Sequence, residues 1–410
     1  MPVPMDLRSA ATAVISNGTR DQGTAMSAQR IGISGIGAVT GYGWGREALW
    51  DGLVSGKSAC VPRFEYGPDL GDISYLALVE DDGDPADGQS RFARAMRASA
   101  REAIADARTR GWQAGRRVGL VHAVVLGEVD LWRDWYLKHG QRRSVREYLA
   151  QMPSTPMSMF MQEYGFTGPA MNVSAMCASG NAGLLTAKSW LDAGIVDDVV
   201  FVATDISLTP EDVLHFVKLG VAVTDSEPLE ASRPFQEGSR GFVMGEASVA
   251  FVLSNQSDRP YAHVLGGAMT HDGHHVTSIN PELTQVRRVI SEAIADAGVP
   301  AGEIGYLNAH GPGTKQCDAA ETRMLEEFLP PSASVFSVKP LTGHCQGAAS
   351  AVELAVSALG YDRGAIPAPP QVAKAHPQLL DGLTPVRQVL TLKTSIGMGG
   401  HNSAVILAPA

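Results

Sequence analysis

The 410 residues are 44% hydrophobic and only 19% charged, with 44 glycines and 24 prolines, a composition for one large domain or two fused ones around a substantial core. The formal net charge of −10 argues against wholesale binding to nucleic acid or anionic membranes, and no apolar run approaches the roughly 18 residues of a membrane span. Cys60, Cys177, Cys317 and Cys345 form neither a disulfide framework nor a metal-spaced Cys/His set, so a reducing cytoplasm and no metal are expected.

Residues 1–28 are rich in Ala, Ser and Thr without the apolar core of a signal peptide, and read as a disordered leader. Regular structure is expected from Arg30, where RIGISGIGAV reads as a buried strand running into a glycine-rich turn. Residues 43–56 read as a helix, 80–88 as an acidic surface loop, 91–112 as an amphipathic helix and 118–126 as a strand. Strands follow at 198–205, 248–253, 304–309, 334–338, 389–395 and 403–407, with a helix at 285–297. Such alternation predicts layered α/β architecture with largely buried sheets. The run CASGNAGLLTAKSWL from Cys177 weakly echoes CQGAASAVELAVSAL from Cys345. Either two glycine- and alanine-rich helices share this by chance, or the chain holds two similar halves dividing near Gly266.

Four segments carry chemistry. In SAMCASGNAG, Cys177 follows an extended stretch and opens a small-residue helix, where unpaired amides and the helix dipole favour a thiolate; a buried structural cysteine is the commoner alternative for a lone one. In YLNAHGPGT, His310 stands at a strand end before a forced turn, with Asp318 and Glu321 downstream as anchors of that loop. In SVKPLTGHCQGAASAVE, Lys339 ends a strand and His344 stands at the mouth of a helix whose positive end favours a neutral imidazole. Glu353 lies inside that apolar helix and needs a partner, for which Lys339 is the candidate. SIGMGGHNS is a glycine loop between two strands whose amides could form an oxyanion hole.

Cysteine, two histidines, a lysine and a glycine loop in this order resemble the β-ketoacyl synthases, the elongating Cys-His-His class of the thiolase superfamily, from Arg30 to Ala410. SRPFQEGSRGFVMGEAS, residues 232–248, adds a fifth matching block. The resemblance implies a thiolase-like duplicated βαβαβαββ fold in five layers, α-β-α-β-α, with halves at 29–265 and 266–410. It implies an acyltransferase in which Cys177 takes an acyl group from an acyl carrier protein (ACP). Malonyl-ACP then loses carbon dioxide, His310 and His344 hold the resulting enolate, and the carbanion attacks the Cys177 thioester to give a 3-oxoacyl-ACP. The amides of Cys177 and Met398 would form the oxyanion hole, with Lys339 and Glu353 orienting the site. His275, Thr277, Pro312, Thr314, Met398, Gly399 and Gly400 would line the pantetheine and acyl path. No resident cofactor is implied, since the substrates ride on the phosphopantetheine of ACP. The implied assembly is a homodimer, or a heterodimer with a ketosynthase-like subunit, in the cytoplasm.

The departures from the family pattern are informative. Pro312, Gly313 and Thr314 stand where Thr-Ser-Thr or Thr-Gly-Thr is usual, Met398 replaces the usual gatekeeper Phe, and His401 replaces a Thr. They predict an unusual acyl substrate from a specialised, polyketide-like pathway. Two other readings stay open: a non-condensing acyltransferase or malonyl decarboxylase, and a non-catalytic chain-length-factor-like subunit. Lys138, Arg142, Arg143 and Arg146 form the densest basic set for a carrier protein, or else a solvated helix face.

Overall fold

The computed structural model describes residues 30–64, 66, 69–71, 73–137 and 144–410. The leader expected over residues 1–28, and Lys138, Arg142 and Arg143, lie outside the described residues.

Ten main strands carry the architecture: β1 Ile31–Thr40, β2 Val118–Ala123, β3 Ala170–Val173, β4 Asp198–Asp205, β5 Ala247–Ser254, β6 Ala262–His271, β7 Ile304–Asn308, β8 Ser334–Phe336, β9 Leu390–Gly397 and β10 His401–Pro409. They pair in the order β3-β2-β4-β5-β1 and, continuing, β6-β10-β9-β7-β8. In the first half β1/β5 and β5/β4 are antiparallel while β4/β2 and β2/β3 are parallel. The second half repeats that pattern strand for strand in β6/β10, β10/β9, β9/β7 and β7/β8. The fold is therefore duplicated, and the halves meet where Ile31 pairs with Val264 and Gly32 with His263. The division expected near Gly266 falls inside β6, which already starts at Ala262.

Five helices fill the layers: α1 Arg91–Thr109, α2 Ser179–Asp192, α3 Thr284–Ala297, α4 Lys315–Phe328 and α5 Ala349–Arg363. The paired helices α2 and α5 lie between the two sheets and touch both, while α1 covers the first sheet and α3 the second from outside. The layers are thus α-β-α-β-α. Burial on both faces explains why β4 and β5 read DVVFVATD and ASVAFVLS, runs without polar alternation.

The expected strand runs into its glycine-rich turn at Gly41–Gly43, and the glycines within RIGISGIGAV serve its packing. They lie within β1, where α1 is pressed on the strand: a Cβ on Gly35 would come within 2.1 Å of the Ala103 carbonyl, and one on Gly37 within 2.0 Å of that of Ser99. The echoing runs after Cys177 and Cys345 become α2 and α5, helices at equivalent places in the two halves. Small residues let them approach closely. A Cβ on Gly180 would sit 2.5 Å from Ser350 Oγ and 2.8 Å from the Ala351 amide. Gly180→Ala is accordingly expected to cost about 1–3 kcal/mol, measured by urea denaturation; an unchanged midpoint would contradict this packing.

Candidate active site

The site sits where both halves bring strand ends and small-residue helices together. After β3 the chain turns sharply through Met176, whose φ of 50° is left-handed, and presents Cys177 two residues ahead of α2. Ser179 fastens the turn: its hydroxyl accepts from the Ala175 amide at 2.8 Å and donates to the Met176 carbonyl at 2.6 Å. From the other half, Ser395 donates to the Cys177 carbonyl at 2.9 Å, and Gly397 packs so tightly on this turn that a Cβ there would lie 3.0 Å from the Ala175 carbonyl. The glycine loop after β9 is thereby held against the thiol.

His310 follows β7, and the carboxylate of Glu321 on α4 fixes its backbone. One oxygen accepts from the His310 amide at 2.7 Å and from the Thr394 hydroxyl at 2.6 Å, the other from the Gly311 amide at 2.7 Å. Asp318 accepts from the Gly313 amide at 3.1 Å and the Phe235 amide at 3.3 Å. Both acids thus hold the Gly311–Pro312–Gly313 turn, in which Gly311 and Gly313 have φ of 42° and 84°. Burial pushes the Asp318 carboxyl up to about 7, with the neighbouring Glu321 adding to the effect.

His344 is anchored by backbone bonds to the segment before β5: its amide donates to Val243 at 2.7 Å and its carbonyl accepts from Gly245 at 3.2 Å. Its Nδ1 accepts from the Gln346 amide at 3.1 Å. That fixes the proton of the neutral ring on Nε2. Nδ1 of His310 is 3.4 Å from the Lys339 ammonium, which also donates to the His310 carbonyl, so Nδ1 again has no place for a proton. The two rings lie 5.4 Å apart, nearly perpendicular. Burial, then the charges of Lys339 and its neighbours, hold both imidazoles well below the ordinary histidine range. Neutral His344 was expected from the positive end of a following helix. The helix starts only at Ala349, beyond a short 3₁₀ turn, and burial with two nearby ammonium groups is the larger cause.

The thiol differs from expectation as well. Burial pushes Cys177 up; the Met398 amide and the Lys339 charge pull it back only in part. The sequence reading weighed the helix end and not the desolvation of a cysteine that is 9% exposed. Free Cys177 is a thiol at neutral pH, with the Met398 amide aimed at its sulfur.

Lys339 and Glu353 do meet: the ammonium donates to Glu353 Oε1. The sequence reading missed the second partner. Lys393, fully buried on β9, places Nζ 2.6 Å from Glu353 Oε2. A lysine inside the apolar strand LTLKTSIG was the available signal.

Cys177, His310, His344, Met398, Gly400, Pro312, Thr314 and Thr277 line one cavity of about 860 Å³. Its remaining walls include Arg240 and Phe242 from the fifth matching block, Cys317 at the start of α4, and Phe216 from a segment that carried no motif. His275 and Gly399 are not among the lining residues. The His275 ring instead accepts at Nδ1 from the Thr277 and Ser278 amides, at 3.1 and 3.2 Å, and shapes the loop that brings Thr277 to the wall. Such a space can take a long thioester arm beside a thiol, two neutral N–H donors and a pair of backbone amides.

Comparison with known proteins agrees on one family. Residues 81–259 match the beta-ketoacyl synthase N-terminal domain and residues 261–372 the beta-ketoacyl synthase C-terminal domain. The chain is 30% identical to the tetracenomycin polyketide synthase ketoacyl synthase alpha subunit of Streptomyces glaucescens, covering 93% of this chain and 97% of that one. It is 26% identical to 3-oxoacyl-acyl-carrier-protein synthase 2 of Synechocystis, covering 91% and 96%. Among solved structures, a ketosynthase in complex with its chain length factor from Xenorhabdus doucetiae superposes with a TM-score of 0.80 at 24% identity, over 94% of this chain and 100% of that one. A type II polyketide ketosynthase in complex with its acyl-carrier protein gives 0.82 at 22% identity, over 93% and 99%.

Proposed function

This chain belongs to the β-ketoacyl synthase family, and we propose that it performs decarboxylative condensation of a Cys177-bound acyl group with malonyl-ACP. The observation that carries this reading is the convergence, on one cavity, of the Cys177 thiol and two neutral imidazoles that each carry their proton on Nε2. In the first half-reaction Cys177 sulfur forms a bond to the acyl carbonyl carbon, the carbon–sulfur bond to the carrier breaks, and the thiol proton leaves with the phosphopantetheine sulfur. The amides of Cys177 and Met398 face the negative oxygen that develops. In the second, the bond between the malonyl α-carbon and its carboxylate breaks, carbon dioxide departs, and the electron pair delocalises on to the thioester oxygen. His310 and His344 donate to that oxygen without transferring a proton. The carbanion then bonds to the Cys177 acyl carbon, the carbon–sulfur bond to Cys177 breaks, and the departing thiolate takes a proton from solvent as the 3-oxoacyl-ACP forms.

The substrates arrive on phosphopantetheine, so the reaction uses no resident cofactor. Relatives that make polyketides, and Met398 and Pro312 in the cavity wall, favour a specialised acyl chain over a plain fatty-acid intermediate. A second ketosynthase-like chain is the expected partner. The first sheet ends in β3, paired on one side only and exposed at Ala170, Met171 and Asn172, which leaves an open edge for a strand from another chain. No described helix is long and apolar enough to cross a membrane, and a cytoplasmic location fits substrates carried by ACP.

The test is stoichiometric. With carboxyl-labelled malonyl-ACP and an acyl-ACP, one carbon dioxide should be released for each 3-oxoacyl-ACP formed. Carbon dioxide accompanied only by acetyl-ACP would replace condensation with simple decarboxylation.

A further inference from the structure

Lys339 holds His310 and pairs with Glu353, whereas Lys393 is left without a task. This lysine is costly to keep. It is fully buried on β9, and burial pulls its ammonium down to about 8 in spite of the carboxylate beside it. Its Nζ contacts are the Glu353 carboxylate at 2.6 Å and the carbonyls of Ala309 at 3.2 Å and Asn308 at 3.4 Å, the residues that lead into His310, together with that of Thr394.

The charges around it can be followed element by element. Glu353 on α5 puts one oxygen on Lys339 and the other on Lys393, so a single carboxylate serves two ammonium groups. From α4, Glu321 also attracts Lys393, but its oxygens accept from the His310 and Gly311 amides and the Thr394 hydroxyl. Lys339 repels Lys393, and the charge of Lys393 acts on both His310 and His344.

We propose that Lys393 is a positioning residue for the condensation: by dividing Glu353 with Lys339 it adds positive charge beside His310 and His344, which reinforces their burial in keeping both imidazoles as neutral Nε2–H donors. The chemistry requires this. An imidazolium beside the enolate would pass its proton to the α-carbon, forming a C–H bond where the new C–C bond belongs and releasing acetyl-ACP. An imidazolium would also put a proton on His344 Nδ1, where the Gln346 amide already donates. The inference rests on the condensing function proposed above.

The experiment replaces Lys393 with methionine, which fills the space without the charge. Two readouts separate positioning from mere structure. In the free protein, NMR titration of labelled histidine should move the His310 and His344 transitions to higher pH by about one unit. In the assay, the acid limb of condensation should move the same way, with acetyl-ACP rising several-fold relative to 3-oxoacyl-ACP along that limb. A folded variant with wild-type imidazole titration and a rate lowered equally at every pH would overturn the proposal. Should Lys393→Met not fold, Lys393→Gln makes the same charge change while keeping a donor for the Ala309 carbonyl. A wild type that never decarboxylates malonyl-ACP would remove the condensing function, whereas the imidazole titration judges Lys393 independently of activity.

Discussion

Cys177→Ala is expected to abolish condensation, by at least ~10⁴-fold, while malonyl-ACP decarboxylation continues. The loss of a nucleophile removes the covalent route altogether, and the residual rate falls to background. The decarboxylation apparatus is separate. His310 is held by Glu321 and Lys339, and His344 by the Val243 and Gln346 backbone, none of which depends on the sulfur. Cys177→Ser should fare little better for condensation, since burial disfavours any anion there and both neighbouring imidazoles are occupied at Nδ1. If Cys177→Ala retained 3-oxoacyl-ACP formation within tenfold of wild type, the covalent route would be wrong.

His344→Ala gives the complementary result. It should lower condensation and decarboxylation by ~10²–10³-fold, the usual consequence of losing one donor to a developing oxyanion. Acyl transfer to Cys177 should stay within a few-fold, because the amides facing that oxyanion belong to Cys177 and Met398. The two half-reactions can be read apart by carbon dioxide release and by the mass of the protein. Equal loss in both would mean that His344 only props up the loop that packs against Phe242, whose ring lies 4.8 Å from it.

Much of this arrangement is legible in the sequence for a simple reason. Buried strands in a layered α/β fold are continuous apolar runs, so β4 is read at its observed bounds, and a polar residue ending such a run marks a site, as at His310 and Lys339. The echo between the runs after Cys177 and Cys345 is legible because two helices that must touch share a need for small residues. What escapes is whatever depends on three dimensions. β1 reads as a strand, but that its glycines are there to admit a helix pressed on it shows only once α1 is placed. Desolvation of Cys177 outweighs the helix end only once its burial is known. Lys393 is one charge in a strand, and its meaning comes from Glu353, forty residues away in the chain, which Lys339 alone was expected to satisfy.

The most direct test of the central claim follows the mass of the intact protein through one cycle. Wild type incubated with acyl-ACP should gain one acyl group, located on Cys177 by peptide mapping. Addition of malonyl-ACP should then discharge it as a 3-oxoacyl-ACP longer by one extender unit. A protein that takes no acyl group from competent carriers, or one that holds it unchanged when malonyl-ACP is added, would contradict the account.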